Sequence, residues 1–202
     1  MYPDEYDIPK GKKISDFWSR SKSGDNFGTG YDDWKKRLSN FHEDDIIIDG
    51  ATWPTIEHWF QANKFMYKYS VESEPRYKEY VDNFKKGGKF DKEIKEGKGK
   101  AATARTAGSK TASQKAKVVV DPEWDTKSFD VMIKGIGEKI KQYDYMKDIL
   151  KKLKSEDVYI VHYENTRGKA KSKWGGVVKK KEDGTFKVVG QNLLGNIYMN
   201  YY

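Results

Sequence analysis

The chain has 202 residues, of which 36% are hydrophobic, 35% charged and 14% aromatic, with a formal net charge of +8. It is long enough to bury a core without metal or disulfide staples, and six Trp, fourteen Tyr and nine Phe argue against intrinsic disorder. The lack of cysteine excludes disulfides, thiolate catalysis and Cys-ligated zinc, while His42, His58 and His162 are too few and too scattered for a His-rich metal site.

In chain order, residues 1–16, with Pro3 and Pro9, read as an irregular arm, and residues 17–40, rich in Gly, Asp and Ser, as loop with short extended pieces. Ile46-Ile47-Ile48 closed by Asp49-Gly50 predicts a short strand entering a turn. Pro54 suits a first helical position, and the aromatic-rich stretch 55–69 is predicted helical. Residues 75–86 extend as helix, followed by a basic segment and an Ala-rich helix around 101–117. Residues 128–143 and 144–154 form two more helices, with Phe129, Met132, Ile133, Ile136 and Ile140 at helical spacing. Strands are predicted at Val158–His162 and Thr185–Val189, the second after the turn Glu182-Asp183-Gly184, and a last helix begins near Asn192. No repeat and no linker between two cores is visible, so a single compact α+β domain, predominantly helical with a small β element, is expected.

The charge is concentrated. Residues 84–117 hold ten Lys and one Arg against Asp91, Glu93 and Glu96, and with Gly87, Gly88, Gly97, Gly99 and Gly108 the segment is expected to be mobile in part. A second basic run spans Arg167 to Lys181 up to the turn. Two such runs fit a phosphate-rich partner, and equally a lysine-rich solvated surface. No stretch approaches the ~20 apolar residues of a membrane span, and the acidic N-terminus lacks a signal-peptide apolar run. A cytoplasmic or nuclear protein without a membrane partner is expected.

On a helical wheel of 100° per residue, Glu57, Gln61, Lys64 and Lys68 fall within about 80–140° of Ile56. Almost all the rest of 56–69 is apolar, His58 and Asn63 excepted. Such a helix is buried with one polar stripe left over. The stripe either faces water or lines a pocket, where Glu57 and Lys64, about 10 Å apart along the axis, act on one substrate. Periodicity alone does not choose.

The segment Trp53-Pro54-Thr55-Ile56-Glu57-His58-Trp59-Phe60-Gln61-Ala62-Asn63-Lys64-Phe65 resembles the signature helix of the NADAR (YbiA-like) family. Phe17-Trp18, Ser39-Asn40-Phe41, Trp124, Val131-Met132, Trp174-Gly175 and Gly190-Gln191-Asn192-Leu193-Leu194-Gly195 agree in order. The likeness spans residues 17–199, leaving 1–16 as an arm before a domain over 17–202 and the segment at about 84–117 as a basic insertion or loop. It implies an N-glycosidase acting on ribosyl or ADP-ribosyl groups, with Glu57 and Lys64 catalytic. Phe17, Trp18, Asn40, Phe41, Trp53, His58, Gln61, Trp174, Gly175, Gly190, Asn192 and Gly195 are implied substrate-binding residues, with no metal or cofactor. Rings would stack on bases, and the two late glycines would let backbone amides approach a diphosphate. Many family members carry an Asp three residues before the Trp-Gly pair; here Lys171 stands there, and Glu164 is a substitute carboxylate.

Three functions follow from this resemblance. One is removal of ADP-ribose from guanine in nucleic acid, in a DNA-repair role, with single strands favoured because a duplex base must first be extruded. ADP-ribose would be the product, a cognate ADP-ribosyltransferase a partner, and the protein a monomer. The second is hydrolysis of phosphoribosylamino-pyrimidine intermediates of riboflavin synthesis. The third is non-catalytic binding of ADP-ribose or nucleic acid.

Overall fold

The computed structural model describes residues 3–22, 24–92, 99–165 and 173–202. The chain forms two units, Met1–Ser39 with Asp144–Tyr202, and Asn40–Tyr143. The N-terminal arm is not irregular, because it contains strands β1 (Glu5–Asp7) and β2 (Lys13–Phe17). In β2 the alternation is local, with Ser15 and Phe17 buried and Lys13 and Asp16 exposed. Residues 34–37 form the short helix α1 (Trp34–Arg37), where Trp34 is buried and its indole N–H donates to the Asp25 carbonyl at 3.1 Å.

The second unit opens with β3 (Ile46–Ile48) and β4 (Ala51–Trp53), an antiparallel hairpin in which Ile46 faces Trp53. Its two-residue turn has Asp49 at φ 51° and Gly50 at φ 73°, the left-handed pair a tight hairpin needs. Helix α2 (Ile56–Asn63) is capped by Thr55, whose hydroxyl accepts the His58 backbone N–H at 3.2 Å. Pro54 therefore precedes the cap and is not the first helical residue. The helix is also shorter than predicted. Asn63 Nδ2 donates back to the Trp59 carbonyl at 2.7 Å, and Phe65 turns inward against Tyr80 at 5.1 Å. Residues 66–68 form a separate 3₁₀ turn.

After α3 (Pro75–Asp82) comes the basic segment, where one Ala-rich helix around 101–117 is expected and two shorter ones are found. Its described residues fold as α4 (Lys89–Lys92), α5 (Lys100–Ala107) and α6 (Lys110–Lys115); residues 93–98 lie outside the described set. Ala101, Ala104 and Ala107 are buried, and α5 packs against α2. Asp91 is 6% exposed, accepts the Gly87 N–H at 2.8 Å and pairs with Lys100 at 2.9 Å. Helix α7 (Trp124–Gln142) starts one turn earlier than predicted and also packs against α2. There Trp59 Nε1 donates to the Val131 carbonyl at 3.1 Å, and a Cβ on Gly135 would lie 2.9 Å from the indole.

The first unit resumes with α8 (Asp144–Ser155), whose Met146, Ile149, Leu150 and Leu153 form one buried stripe. Strand β5 (Val158–His162) pairs in parallel with β2, from Lys13 opposite Val158 to Phe17 opposite His162. Strands β6 (Val177–Lys180), unpredicted, and β7 (Phe186–Val189) form a hairpin, and β1 adds to the far edge of β7. Helix α9 (Leu193–Met199) lies against β5. The α+β, mainly helical class expected from sequence is the class observed. No helix among the described residues is long and apolar enough to cross a membrane.

Candidate active site

Glu57, Gln61 and Lys64 form the polar stripe of α2 and its C-cap. Glu57 and Gln61 are each only 6% exposed, and Gln61 Nε2 donates to Glu57 Oε1 at 2.8 Å across one turn. Lys64 is half-buried; its Nζ donates to the Gly108 carbonyl at 3.1 Å and lies 5.9 Å from the centroid of the Trp124 ring. Burial lowers the Lys64 pKa below the ordinary lysine value; the Glu57 charge opposes this and the Arg105 charge adds to it. The stripe is therefore not a solvated face. Lys68 has left it for Glu74, at 3.4 Å. Asn40 enters from the preceding loop, its carbonyl accepting the Glu57 N–H at 3.1 Å. Its side chain is 9% exposed, with Nδ2 3.3 Å from Met132 Sδ and Oδ1 without a hydrogen-bond partner among the described residues. The neighbouring Phe41 is half-buried.

His58, expected to bind substrate, is fully buried on a flank of the helix beside the stripe. Its Nε2 lies 3.3 Å from the Phe90 carbonyl, which only accepts, so Nδ1 accepts the Thr55 hydroxyl at 2.9 Å. Both nitrogens are thus committed inside the fold. Burial drives its pKa from 6.5 to about 4, against the Phe90 carbonyl and Asp91, which favour the cation. Between these values the unfolded ring takes up a proton that the folded ring refuses. His58 stabilises the fold fully above 6.5 and progressively less as pH falls towards about 4, a loss of about 3 kcal/mol. Urea unfolding at pH 7.5 and 4.5 is expected to show it in the wild type, and His58→Gln to lose that part of the slope. An unchanged slope would assign it to other groups.

Trp53 is 1% exposed and packs edge-on against Trp59 at 5.4 Å, with its N–H on the Ile48 carbonyl at 3.3 Å. It is a core residue with no ring face left for a base.

In the other unit, the remaining sequence-predicted residues gather around β5. Phe17 has no exposure and packs against the rings of His162 and Tyr198, at 5.3 and 5.8 Å. Trp18 stays partly exposed beside Tyr163 at 5.4 Å, and Trp174 is half-buried. Asn192, at φ 50°, uses both ends of its amide on the strand: Oδ1 accepts the His162 N–H at 2.8 Å and Nδ2 donates to the Ile160 carbonyl at 3.1 Å. The N–H groups of Asn192, Leu193 and Leu194 donate to the carbonyls of Gly175, Lys173 and Trp174 at 3.1–3.2 Å. The Gly190 N–H likewise donates within the protein, to the Asp4 carbonyl at 2.8 Å. Gly175, Gly190 and Gly195 serve close backbone packing; a Cβ would come within 2.5 Å of the His162 carbonyl, 2.4 Å of the Gly175 carbonyl and 2.5 Å of Asn192 Oδ1 respectively. Asn192→Ala is expected to cost about 2–4 kcal/mol, from two lost bonds and a left-handed backbone without Asn, measured by chemical denaturation; a cost under about 0.5 kcal/mol would rule out this anchoring role. Glu164 is half-buried with its N–H on the Gly176 carbonyl at 3.1 Å. Lys171 lies outside the described residues. A groove of about 570 Å³ in this unit, bordered by Ile14, Phe27, Tyr163 and Phe186, takes in none of the predicted site residues.

The sequence of the chain matches the NADAR domain over residues 17–201. It belongs to the NADAR domain family. N-glycosidase YbiA of Escherichia coli K12 and its counterpart in Shigella flexneri are each 51% identical over 41 residues, 20% of this chain. The aligned part spans a quarter of the length of these curated relatives. The NMR structure of the E. coli protein YbiA superposes with a TM-score of 0.56 at 22% identity, over 94% of this chain and 83% of that one, which places the fold.

Sequence reasoning missed the groups that surround Lys64 from outside the NADAR motifs. Gly108 and Arg105 fall in the span predicted as an Ala-rich helix, and nothing in its periodicity points either residue at Lys64. Trp124 was matched to the family, and its lead position in α7 becomes visible only once Asp121, whose N–H donates to the Lys64 carbonyl at 2.7 Å, sets the helix start.

Proposed function

We propose that the protein is an N-glycosidase that removes ADP-ribose from guanine bases of nucleic acid, with single-stranded DNA the expected form, in a repair role. The observation that carries the reading is the stripe of α2, along which a buried carboxylate and a desolvated lysine amine lie on one side of the helix. A lysine with lowered pKa holds more neutral amine near pH 7, the form that attacks carbon. Lys64 Nζ attacks the anomeric carbon, and the bond from that carbon to the base nitrogen breaks. Glu57 passes the proton lost by the attacking nitrogen to the departing base. Ring opening gives an imine, and water hydrolyses it to release ADP-ribose and restore the amine.

Nucleic acid is favoured over a small metabolite by charge. Arg105, Lys110, Lys115 and Lys117 are exposed on α5, α6 and the residues after them, in the segment whose Gly108 carbonyl holds Lys64. Such a patch attracts a phosphate backbone by counterion release, so turnover should weaken steeply with salt. A separate ADP-ribosyltransferase would supply the substrate. The unpartnered Asn40 Oδ1 suits a ribose hydroxyl or base N–H.

The test is the intact mass of a guanine-ADP-ribosylated single-stranded oligonucleotide incubated with the protein at two salt concentrations. Loss of the ADP-ribose mass, slower at high salt, supports the reading. No loss there, with release from phosphoribosylamino-pyrimidines insensitive to salt, replaces it with the metabolite reading. Binding without release of either would identify a non-catalytic reader.

A further inference from the structure

Gly108 ends α5 with φ −72° and ψ 0°, a backbone that any residue adopts. Glycine is therefore not there for conformational freedom. Space explains it: a Cβ at this position would lie 1.8 Å from Gln61 Oε1, 2.6 Å from its Cδ and 2.9 Å from its Cβ. The last of these atoms is fixed to the α2 backbone, so a rotamer change in Gln61 does not relieve the overlap.

The same residue meets the stripe a second way, through its carbonyl, which accepts Lys64 Nζ at 3.1 Å. The turn is itself held. The Gly108 N–H closes α5 onto the Ala104 carbonyl at 2.9 Å, Tyr80 donates its hydroxyl to the Ala107 carbonyl at 2.7 Å, and Ser109 caps α6 through the Ala112 N–H at 3.3 Å.

We propose that Gly108 is a positioning residue for the α2 stripe, its carbonyl holding the Lys64 amine and its bare Cα seating the Gln61 amide that grips Glu57. The basic segment thereby completes the stripe as well as carrying charge. This rests on the catalytic reading of Glu57 and Lys64 for its effect on turnover, but not for its effect on Lys64 itself.

The experiment is competitive acetylation of Lys64 against pH, read by peptide mass spectrometry without substrate, alongside turnover of the ADP-ribosylated oligonucleotide. In Gly108→Ala the turn is pushed off α2 and water reaches Lys64. Its half-labelling pH is expected to rise towards that of an exposed lysine, and kcat to fall at least about tenfold with little change in KM. In Gly108→Ala/Gln61→Gly the side chain that a Cβ at 108 would meet is gone altogether, and Lys64 is expected to label again as in the wild type. Wild-type labelling in Gly108→Ala, or no recovery in the double variant, overturns the proposal. If Gly108→Ala does not fold, refolding of the double variant supports the steric argument, and its failure to fold overturns it. A wild type that labels as expected but releases no sugar would overturn the glycosidase reading and leave the positioning result standing.

Discussion

Glu57→Gln is expected to slow release of ADP-ribose from the modified oligonucleotide by about 10²–10⁴-fold, the usual cost of losing a positioned proton-transfer group. The substitution keeps the side-chain volume at a site 6% exposed, and an amide oxygen can still accept from Gln61 Nε2, so the fold should be preserved. What disappears is the ability to take and give a proton. Lys64 separates two mechanisms. If its amine forms the imine, Lys64→Arg and Lys64→Ala lose activity alike, because a guanidinium stays protonated and does not attack carbon. Borohydride would then trap a sugar on Lys64 in the wild type alone. If Lys64 only holds a phosphate or hydroxyl, Lys64→Arg keeps much of the rate and no adduct forms. The lowered Lys64 pKa also sets a direction: burial favours the neutral amine, so the nucleophilic route gains rate as pH rises until that amine is fully deprotonated. A Glu57→Gln rate within threefold of wild type would remove the carboxylate from the mechanism.

What sequence made legible is what local chemistry dictates. The Asp49-Gly50 turn announces itself because two left-handed residues at a hairpin leave few alternatives. Helix α8 is as readable, its buried Met146, Ile149, Leu150 and Leu153 repeating at helical spacing. The seven-residue spacing brings Glu57 and Lys64 onto one stripe with Gln61 between them in sequence, while their catalytic role is what the family resemblance implies.

The rest depends on partners far away in the chain. Strand β2 is five residues with one clean alternation, and its extended form is fixed by pairing with β5, 145 residues on. Strand β6 ends in Lys179 and Lys180, which read as solvated charge but suit the edge of a sheet, where lysine discourages further pairing. The basic segment misled through composition. Its described anchors include Phe84, three alanines and Asp91, a carboxylate held by Gly87 and Lys100, too few apolar groups to stand out among ten lysines. The late glycines and Asn192 carry the family motif, and their contacts seen here lie within the protein: close backbone packing at the glycines, and the Asn192 amide on the His162 N–H and the Ile160 carbonyl.

A second large effect is expected at Lys139, a residue with no role in the chemistry. It has no solvent exposure, and its Nζ lies 2.9 Å from Asp44 Oδ2, itself 11% exposed. Removing Lys139 takes the nearest lysine cation from a mostly buried carboxylate, which keeps only the weaker 3.7 Å approach of His42 among the ion pairs described, so Lys139→Met is expected to cost about 3–5 kcal/mol. The consequence should reach beyond the pair, because the C-terminal end of α7 clamps the strand leading into the hairpin. Gln142 brackets Ile47 with two 2.8 Å bonds, and Tyr143 donates to the Asp45 carbonyl at 2.8 Å. The loop leading into that strand includes Asn40, whose carbonyl receives the Glu57 N–H. Adding Asp44→Asn to Lys139→Met removes the stranded charge and should recover at least half of the loss in urea unfolding, since buried ion pairs often exchange for neutral groups at little cost. If the double variant is no more stable than Lys139→Met, the cost lies in packing around the lysine stem, and the pair is not what holds this segment in place.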